Sequence, residues 1–243
     1  MRAVTWNVNH AGPRGLGAIE EVLRAQDADL IALQEVDMGC ARSGGVFQAR
    51  ALGEALGMSW GFCRAIPFDG GDYGVALLVK PHLVGGRPLR VTTFRLPGGR
   101  LPGEEPRVLL GARAGGLRVF VTHLDLFGEL RVRQAEAVCA AISSTSRAVL
   151  LGDFNEGPHG PALRRVLDFG LRDAWSEAHS AERTTAPPDR PQERIDLVLL
   201  GAGAGPAFGA RAVESDASDH PLVVCDFSAF PAVEPAPERG DRR

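Results

Sequence analysis

The sequence predicts an α/β or α+β fold in which helices cover mixed β-sheets. Short apolar segments of strand length recur along the chain, amphipathic segments of helix length separate some of them, and tight turns join others. Helical crossovers combined with hairpins are what mixed sheets require. With 243 residues and 44% hydrophobic content, the chain can bury a large core, and nothing in its middle has the composition of a linker.

Eight strands are predicted from runs of apolar residues. In chain order they are Ala3–Val8, Leu30–Gln34, Val75–Val79, Arg107–Ala112, Leu117–Thr122, Ala148–Leu151, Ile195–Leu200 and Leu222–Cys225. Apolar residues at three- and four-residue spacing predict helices over Leu16–Ala25, Phe47–Leu56 and Leu130–Ile142. The pair Gly115-Gly116 predicts a hairpin. We expect one domain over residues 1–229 and a disordered tail over 230–243, which is rich in proline and charge.

Composition argues against several classes of protein. The formal net charge of −3 does not favour a strong, sequence-independent grip on nucleic acid, although it leaves a local basic patch open. The four cysteines form no Cys-x-x-Cys pair, so packed, reduced thiols are expected rather than disulfides or zinc ligands. The chain opens directly on a predicted strand, and no apolar run approaches the roughly 18 residues of a membrane span. We therefore expect a cytoplasmic protein without a membrane segment.

Polar residues that can bind metal or phosphate follow or begin most of the predicted strands. They are Asn7, Glu35, His123, Asp153, Asn155, Asp196, Asp219 and His220. Strand ends form the mouth of a sheet in layered α/β folds, so these side chains could surround one cleft. Mg²⁺ and Mn²⁺ prefer oxygen ligands, and Glu35, which is predicted to end its strand, fits such a site with Asn7 and Asp219. The scattered histidines do not favour zinc.

Each of these residues also has an ordinary structural explanation. Asn7 and the tetrapeptide Gly-Asp-Phe-Asn at 152–155 could form turns, and Glu35 could be a solvated strand end. His123 could be a core histidine that is hydrogen-bonded to the backbone. Asp196 is harder to explain in this way, because a buried carboxylate without a partner is costly. The argument for function is that all of them occur in one chain, each at a predicted strand end or, like Asp196, in need of a partner.

The ordered motifs TWNVN, LQEV, THLD, GDFN, RIDLVL and SDHPL resemble those of the endonuclease/exonuclease/phosphatase superfamily of metal-dependent phosphoesterases. The resemblance extends from Thr5 to Leu222 and implies a four-layer sandwich of two mixed sheets flanked by helices. The THLD motif and the helix after it are similar to the sphingomyelinase and tyrosyl-DNA phosphodiesterase branch rather than to the apurinic endonucleases.

The resemblance also implies a role for each motif residue. Asn7, Glu35 and Asp219 would hold the metal, and Asp153 would orient or deprotonate the attacking water. Asn155 and His123 would contact the phosphate, while Asp196 would hydrogen-bond His220, which faces a phosphoryl oxygen. These roles supply the charge neutralisation and the in-line nucleophile that phosphate esters require.

The sequence therefore predicts a hydrolase that uses Mg²⁺ or Mn²⁺ to cleave a phosphodiester or phosphomonoester by attack of an activated water. Arg42, His10 and Tyr73 are candidate substrate-binding residues, each with an ordinary loop or packing role as the alternative. The other interpretations are a DNA or RNA nuclease or a DNA-repair phosphodiesterase of the same superfamily, a lipid phosphodiesterase, and a catalytically silent binding module on the same fold. A serine hydrolase is not favoured, because no Gly-x-Ser-x-Gly motif is present.

Overall fold

The computed structural model of the protein describes residues 1–12, 14–99, 101, 103–189 and 193–229. In these residues two six-stranded sheets lie face to face, with helices on both outer surfaces. The arrangement is an α/β/β/α sandwich, which confirms the predicted fold class. The tail predicted to be disordered, 230–243, lies outside the described residues.

Twelve strands and five α-helices follow one another in the described chain. The strands are β1 (Arg2–Asn7), β2 (Leu30–Met38), β3 (Ser59–Phe68), β4 (Gly71–Val79), β5 (Val91–Arg95), β6 (Val108–Ala114), β7 (Leu117–His123), β8 (Ala148–Asp153), β9 (Arg172–Asp173), β10 (Asp196–Leu200), β11 (Ala207–Val213) and β12 (Leu222–Phe227). The helices are α1 (Leu16–Gln26), α2 (Gln48–Leu56), α3 (Gly128–Ile142), α4 (Pro161–Asp168) and α5 (Ala174–Glu177). The first sheet, sheet A, has the order β11-β12-β1-β2-β4-β3, and the second, sheet B, has the order β5-β6-β7-β8-β10-β9.

Three apolar layers hold the sandwich together. The inner faces of the sheets meet in a core to which sheet A contributes Leu30 and Leu77 and sheet B contributes Val121 and Leu151. On the outside, α1 and α2 cover sheet A, while α3 and α4 cover sheet B. Strands in the middle of each sheet are buried on both faces, which explains their nearly continuous apolar runs.

Each sheet contains one parallel pair near its centre, and these pairs position the polar residues. β1 runs parallel to β2 in sheet A, and β7 runs parallel to β8 in sheet B. The carboxyl ends of the parallel strands carry Asn7, His123 and Asp153, while the antiparallel β10 begins beside them with Asp196 paired to Asp153. The fold thus brings side chains from both sheets to one end of the sandwich.

The prediction that Glu35 ends its strand is wrong. β2 continues to Met38, and its pairing with β4 shifts between Leu33 and Val36. Glu35 lies in this β-bulge with a φ of 57°, a left-handed conformation that is uncommon for a residue with a side chain. The bulge, and not the end of the strand, therefore directs the Glu35 carboxylate.

Three smaller expectations also have an outcome. The predicted hairpin joins β6 to β7, and Gly115 and Gly116 both have positive φ, as a type I′ turn requires. All four cysteines are free thiols. Among the described helices, none has both the length and the apolar character needed to cross a membrane.

Candidate active site

The structure brings the predicted site residues together around one cleft of about 400 Å³. Ten of the eleven line it: Asn7, His10, Glu35, Arg42, Tyr73, His123, Asp153, Asn155, Asp219 and His220. The eleventh, Asp196, lies fully buried behind His220. Side chains that are separated by more than two hundred residues, such as Asn7 and His220, thus share a single concave surface.

A carboxylate cluster forms the deep end of the cleft. The Asn7 side-chain nitrogen donates to Glu35 Oε1 at 2.9 Å and to Asp153 Oδ2 at 3.1 Å. Asn7 Oδ1 accepts from the Asn9 backbone at 3.1 Å, which fixes the orientation of the amide. Asn7 therefore bridges one carboxylate from each sheet, Glu35 of sheet A and Asp153 of sheet B.

Two hydrogen bonds hold the end of β1 to the loop that carries His220. Trp6 Nε1 donates to the His220 carbonyl oxygen at 2.8 Å, and Ser218 Oγ donates to the Asn7 carbonyl oxygen at 2.6 Å. The sequence prediction gave neither Trp6 nor Ser218 a role. Both are positioning residues, since they join the motif around Asn7 to the motif around His220.

Burial and neighbouring charge raise the pKa of Asp153 to about 6, since the carboxyl is enclosed and faces Asp196. His220 and the hydrogen bonds from Asn155 and Asn7 act in the opposite direction but do not cancel this effect. Gly152 helps to set the position of Asp153, because a side chain at residue 152 would meet the Thr122 carbonyl oxygen of β7 at 2.2 Å. The Gly-Asp pair ends β8 rather than forming a turn.

His220 is oriented by Asp196. His220 Nδ1 lies 3.0 Å from Asp196 Oδ2, and His220 Nε2 lies 3.9 Å from Asp153 Oδ2. Burial by itself lowers the pKa of His220, but Asp196, Asp153 and Asp219 outweigh it and raise the pKa to about 9. The imidazole is consequently a cation near neutral pH in the metal-free protein.

Asp196 is held in turn by Thr185, a residue that the sequence analysis did not single out. Thr185 Oγ1 accepts hydrogen bonds from the backbone nitrogens of Ile195 and Asp196, at 3.0 and 2.9 Å. Thr185 is itself fully buried, so it fixes the start of β10. The second carboxylate oxygen of Asp196, Oδ1, has no hydrogen-bond partner within the described structure.

His123 and Asn155 form the opposite wall. The Asn155 side-chain nitrogen lies 3.1 Å from His123 Nε2 and donates to the Leu124 carbonyl oxygen at 2.8 Å. The Asn155 backbone nitrogen donates to Asp153 Oδ1 at 2.8 Å, and the residue has a φ of 50°. Asparagine tolerates this left-handed conformation better than most residues, which lets the chain turn and present the amide.

The outer end of the cleft is cationic and aromatic. Arg42 forms a two-pronged hydrogen bond with the buried Asp37, from Nε at 2.8 Å and from the terminal nitrogen at 2.7 Å. Its guanidinium carbon lies 4.4 Å from the centre of the Phe68 ring and 5.4 Å from that of Tyr73. Burial raises the pKa of the Tyr73 phenol far above its ordinary value, so the hydroxyl remains a neutral donor. Arg42 is thus a rigid cation on the cleft wall.

Glu105 and Arg107 also line this end, and the sequence analysis missed both. Arg107 is 7% exposed and pairs with Glu105 at 3.0 Å. Burial raises the pKa of Glu105, partly offset by Arg107. Arg107 Nε has no hydrogen-bond partner among the described residues. The only available sequence signal was an arginine directly before an apolar strand, which also fits an ordinary strand end.

Three of these groups could together hold a metal ion. Ligand atoms of Asp153, Asp196 and His220 lie within 4.8 Å of one another. This set differs from the predicted ligands Glu35, Asn7 and Asp219. Because Asp196 and His220 already bond to each other, the more accessible oxygens are those of Glu35, Asp153 and Asp219, which face the cleft.

Comparison with known proteins agrees with this geometry. Residues 4–220 match the model of the Endonuclease/Exonuclease/phosphatase family. No curated protein sequence matches the chain.

Several solved structures share the fold at identities below 25%. An endonuclease/exonuclease/phosphatase from Beutenbergia cavernae is 23% identical, with a TM-score of 0.70 over 93% of this chain and 70% of that one. A mannosyl-6-phosphatase from Bacteroides thetaiotaomicron is 17% identical, with a TM-score of 0.69 over 94% and 99%. The human Nocturnin catalytic domain, with bound sulfate, is 20% identical, with a TM-score of 0.70 over 94% and 93%. Since the family match spans most of the chain and the motif residues converge on one cleft, the protein belongs to the endonuclease/exonuclease/phosphatase family.

Proposed function

We propose that the protein is a divalent-metal-dependent phosphoesterase that hydrolyses a phosphomonoester or phosphodiester by direct attack of water. The observation that carries this proposal is the placement of the buried Asp153 carboxylate 3.9 Å from the His220 imidazole, which Asp196 holds by a 3.0 Å hydrogen bond. Both groups face a cleft that has further phosphate-binding groups on its walls. Members of the family are hydrolases that act on phosphate esters, which agrees with this chemistry.

The donor set of the cleft fits a hard dication. Glu35 and Asp219 offer carboxylate oxygens, the ligand type that Mg²⁺ and Mn²⁺ prefer, and Asn7 holds Glu35 in place through its side-chain nitrogen. Glu35 and Asp153 crowd two negative groups around the single donor Asn7, an arrangement that a cation would stabilise. When bound, the metal would neutralise charge on the phosphate and make the attacking water more acidic.

Asp153 is placed to accept the proton of the attacking water. In the metal-free protein the Asp153 carboxyl, with a pKa of about 6, is a stronger base than an ordinary aspartate and is still mostly ionised at neutral pH. The backbone nitrogen of Asn155 and the side-chain nitrogen of Asn7 donate to its two oxygens, so the orientation of the carboxylate is fixed before the substrate binds. The geometry therefore supports general base catalysis.

His220, His123 and Asn155 would stabilise the charge that builds up on the phosphoryl oxygens. The Asp196 contact keeps His220 cationic and holds its Nε2 toward Asp153, where the reacting water would sit. The Asn155 amide and the His123 ring approach from the other wall. Fixed donors on two sides of the phosphorus are worth more in the transition state than in the ground state, because negative charge increases there.

The size of the cleft favours a compact phosphate-bearing group. A volume of about 400 Å³ lies within the usual range of small-molecule sites. Arg42 and Arg107, each paired with an acid, present guanidinium groups at the outer end, and the exposed ring of Phe68 adds an apolar surface. We infer that the part of the substrate beyond the scissile bond is anionic or planar.

The test is hydrolysis of p-nitrophenyl phosphate and bis-p-nitrophenyl phosphate, followed by a panel of nucleotides and sugar phosphates, in Mg²⁺ or Mn²⁺. We expect EDTA to abolish turnover and Asp153→Asn to lower kcat on the order of 10²- to 10⁴-fold. The matched control is Asp168→Asn, an exposed aspartate on α4 that should have no effect. Turnover that survives both EDTA and Asp153→Asn would contradict the proposal.

A further inference from the structure

A second concave surface lies on the outer face of sheet B, away from the active-site cleft. It has a volume of about 620 Å³ and lies where β5, β6 and β7 meet the last turn of α3 at Ala141. We call it the arginine groove, because Arg87, Arg90, Arg113 and Arg118 line it. Along β7, Arg118 is five residues from His123, roughly 17 Å at about 3.3 Å per residue.

Two of these arginines oppose each other directly. Arg113 of β6 and Arg118 of β7 are paired in the antiparallel register, which places two positive charges on neighbouring strands of the same face. Like charges in this arrangement destabilise a sheet. Arg90 comes directly before Val91, which pairs with Ala112, so a third cation lies next to Arg113 across the strands.

The floor of the groove is open because of one glycine. Gly111 lies between Thr92 and Phe120 in the strand register, on the same face as Arg113. A side chain at this position would meet the Phe120 ring at 3.2 Å and the Phe94 ring at 3.5 Å. Its absence leaves a depression between the two rings beside the row of arginines.

Most of the positive charge in the groove is not neutralised within the described structure. Arg118 has a structural role, since it donates to the carbonyl oxygens of Ile142 and Ser144 after α3. Arg87, Arg90 and Arg113, by contrast, form no ion pair with any described residue, and no acidic residue lines the groove. A chain of net charge −3 thus concentrates four arginines on one concave face.

We propose that the arginine groove binds the phosphate backbone of a single-stranded nucleic acid. The row of guanidinium groups across adjacent strands suits successive phosphates, because the planar fork of arginine binds phosphate oxygens in pairs. A lipid surface is a poorer match, since the large exposed apolar side chains, such as Phe47, Phe127 and Phe208, do not line this groove. With a volume of about 620 Å³, the groove is the size of a small-molecule site, so it can enclose part of a single strand but not a duplex.

The experiment measures binding of a fluorescein-labelled dT20 oligonucleotide by fluorescence anisotropy. EDTA is present throughout, so hydrolysis cannot interfere and the result does not depend on the proposed catalytic activity. We expect affinity to fall with salt with a log–log slope of about −2 to −3, from about −0.7 per neutralised phosphate and three or four arginines. The double variant Arg90→Gln/Arg113→Gln should bind about tenfold more weakly and with a shallower slope.

The control variant is Arg133→Gln, an exposed arginine on α3 that lies outside the groove. Arg133→Gln should bind dT20 as tightly as the unmodified protein does. The double variant should hydrolyse p-nitrophenyl phosphate at the rate of the unmodified protein. The melting temperature of the double variant should not fall, because the substitution at Arg113 removes a like-charge contact.

Three results would overturn the proposal. The first is the absence of salt-dependent dT20 binding, and the second is an equal loss of binding in Arg133→Gln and in the double variant. The third is groove-dependent binding to vesicles of 30% phosphatidylserine in phosphatidylcholine without binding to dT20, which would assign the groove to a lipid surface.

Discussion

Replacing Asp196 by asparagine tests the electrostatic core of the proposed mechanism. The substitution preserves the size of the side chain and an oxygen that can accept a hydrogen bond from His220 Nδ1. It removes only the buried negative charge that lies 3.0 Å from the imidazole. His220 and Asp153 both respond to that charge, so one change should alter the pKa of two groups in a predictable direction.

The structure gives the size of the effect. The pKa of His220 is about 9 with Asp196 present, against an ordinary value of 6.5. Without that charge, burial lowers the pKa and only Asp153 and Asp219 raise it, so we expect the pKa of His220 to fall from about 9 toward its ordinary value. A fall of about 2.5 pH units corresponds to an interaction on the order of 3 kcal/mol. The pKa of Asp153 should fall as well, since Asp196 raises it.

The assay is an NMR titration of the histidine ring resonances in EDTA. The chain has six histidines, and the His220→Gln variant identifies the relevant signal. The same shift predicts a pH-dependent stability for the metal-free protein. Because the folded-state pKa of His220 lies above its unfolded value, its stabilisation is complete below about pH 6.5 and is lost as the pH rises through about 9. Denaturant unfolding should show this loss in the unmodified protein, and a smaller one in Asp196→Asn.

The reasoning would be refuted by a His220 pKa that stays near 9 in the Asp196→Asn variant. Such a result would mean that Asp153 and Asp219 alone keep the imidazole cationic. His159→Asn serves as the matched control for histidine assignment, because His159 is exposed and lies outside the cleft.

Three further substitutions test separate parts of the site. Glu35→Gln should weaken Mn²⁺ binding, measured by calorimetry, by at least about tenfold, while the exposed Glu129→Gln should not. Arg42→Lys keeps the charge but loses the two-pronged bond, so KM should rise roughly tenfold with little change in kcat, and Arg133→Lys should change neither. Gly152→Ala forces a side chain against a carbonyl oxygen of β7 and should lower the free energy of unfolding by about 1–3 kcal/mol in a denaturant titration. An unchanged Mn²⁺ affinity, KM or unfolding free energy, respectively, would contradict these three expectations.

The sequence predicted the interior of the fold well and its borders poorly. The eight predicted strands all exist, whereas β3, β5, β9 and β11 were missed. These four are the edge strands of the two sheets. An edge strand has neighbours on one side only, so it can mix small and polar residues with apolar ones, and β11 (Ala207–Val213) is a clear example.

The candidate site was predicted from strand ends, and the prediction failed where local backbone geometry determines the direction of a side chain. Asn7, Asp153 and Asp196 lie at strand ends, as expected. Glu35 does not lie at a strand end, because β2 contains a bulge that no residue pattern in the sequence predicts. Thr185 and Glu105 were missed for a different reason: each lies in an irregular segment, and only the tertiary structure shows what it contacts.

The β-bulge in β2 links the positions of two side chains that act at opposite ends of the cleft. Glu35 lies in the bulge itself, and Asp37, two residues later, accepts the hydrogen bonds that hold Arg42 at the outer end. A deletion that straightened the strand would displace both acids together, so the proposed metal-binding end and the proposed substrate-binding end of the cleft would change at the same time. Engineering a new specificity in this cleft should therefore leave residues 34–37 intact and begin at Glu105 and Arg107, which line the same outer end but belong to a different segment of the chain.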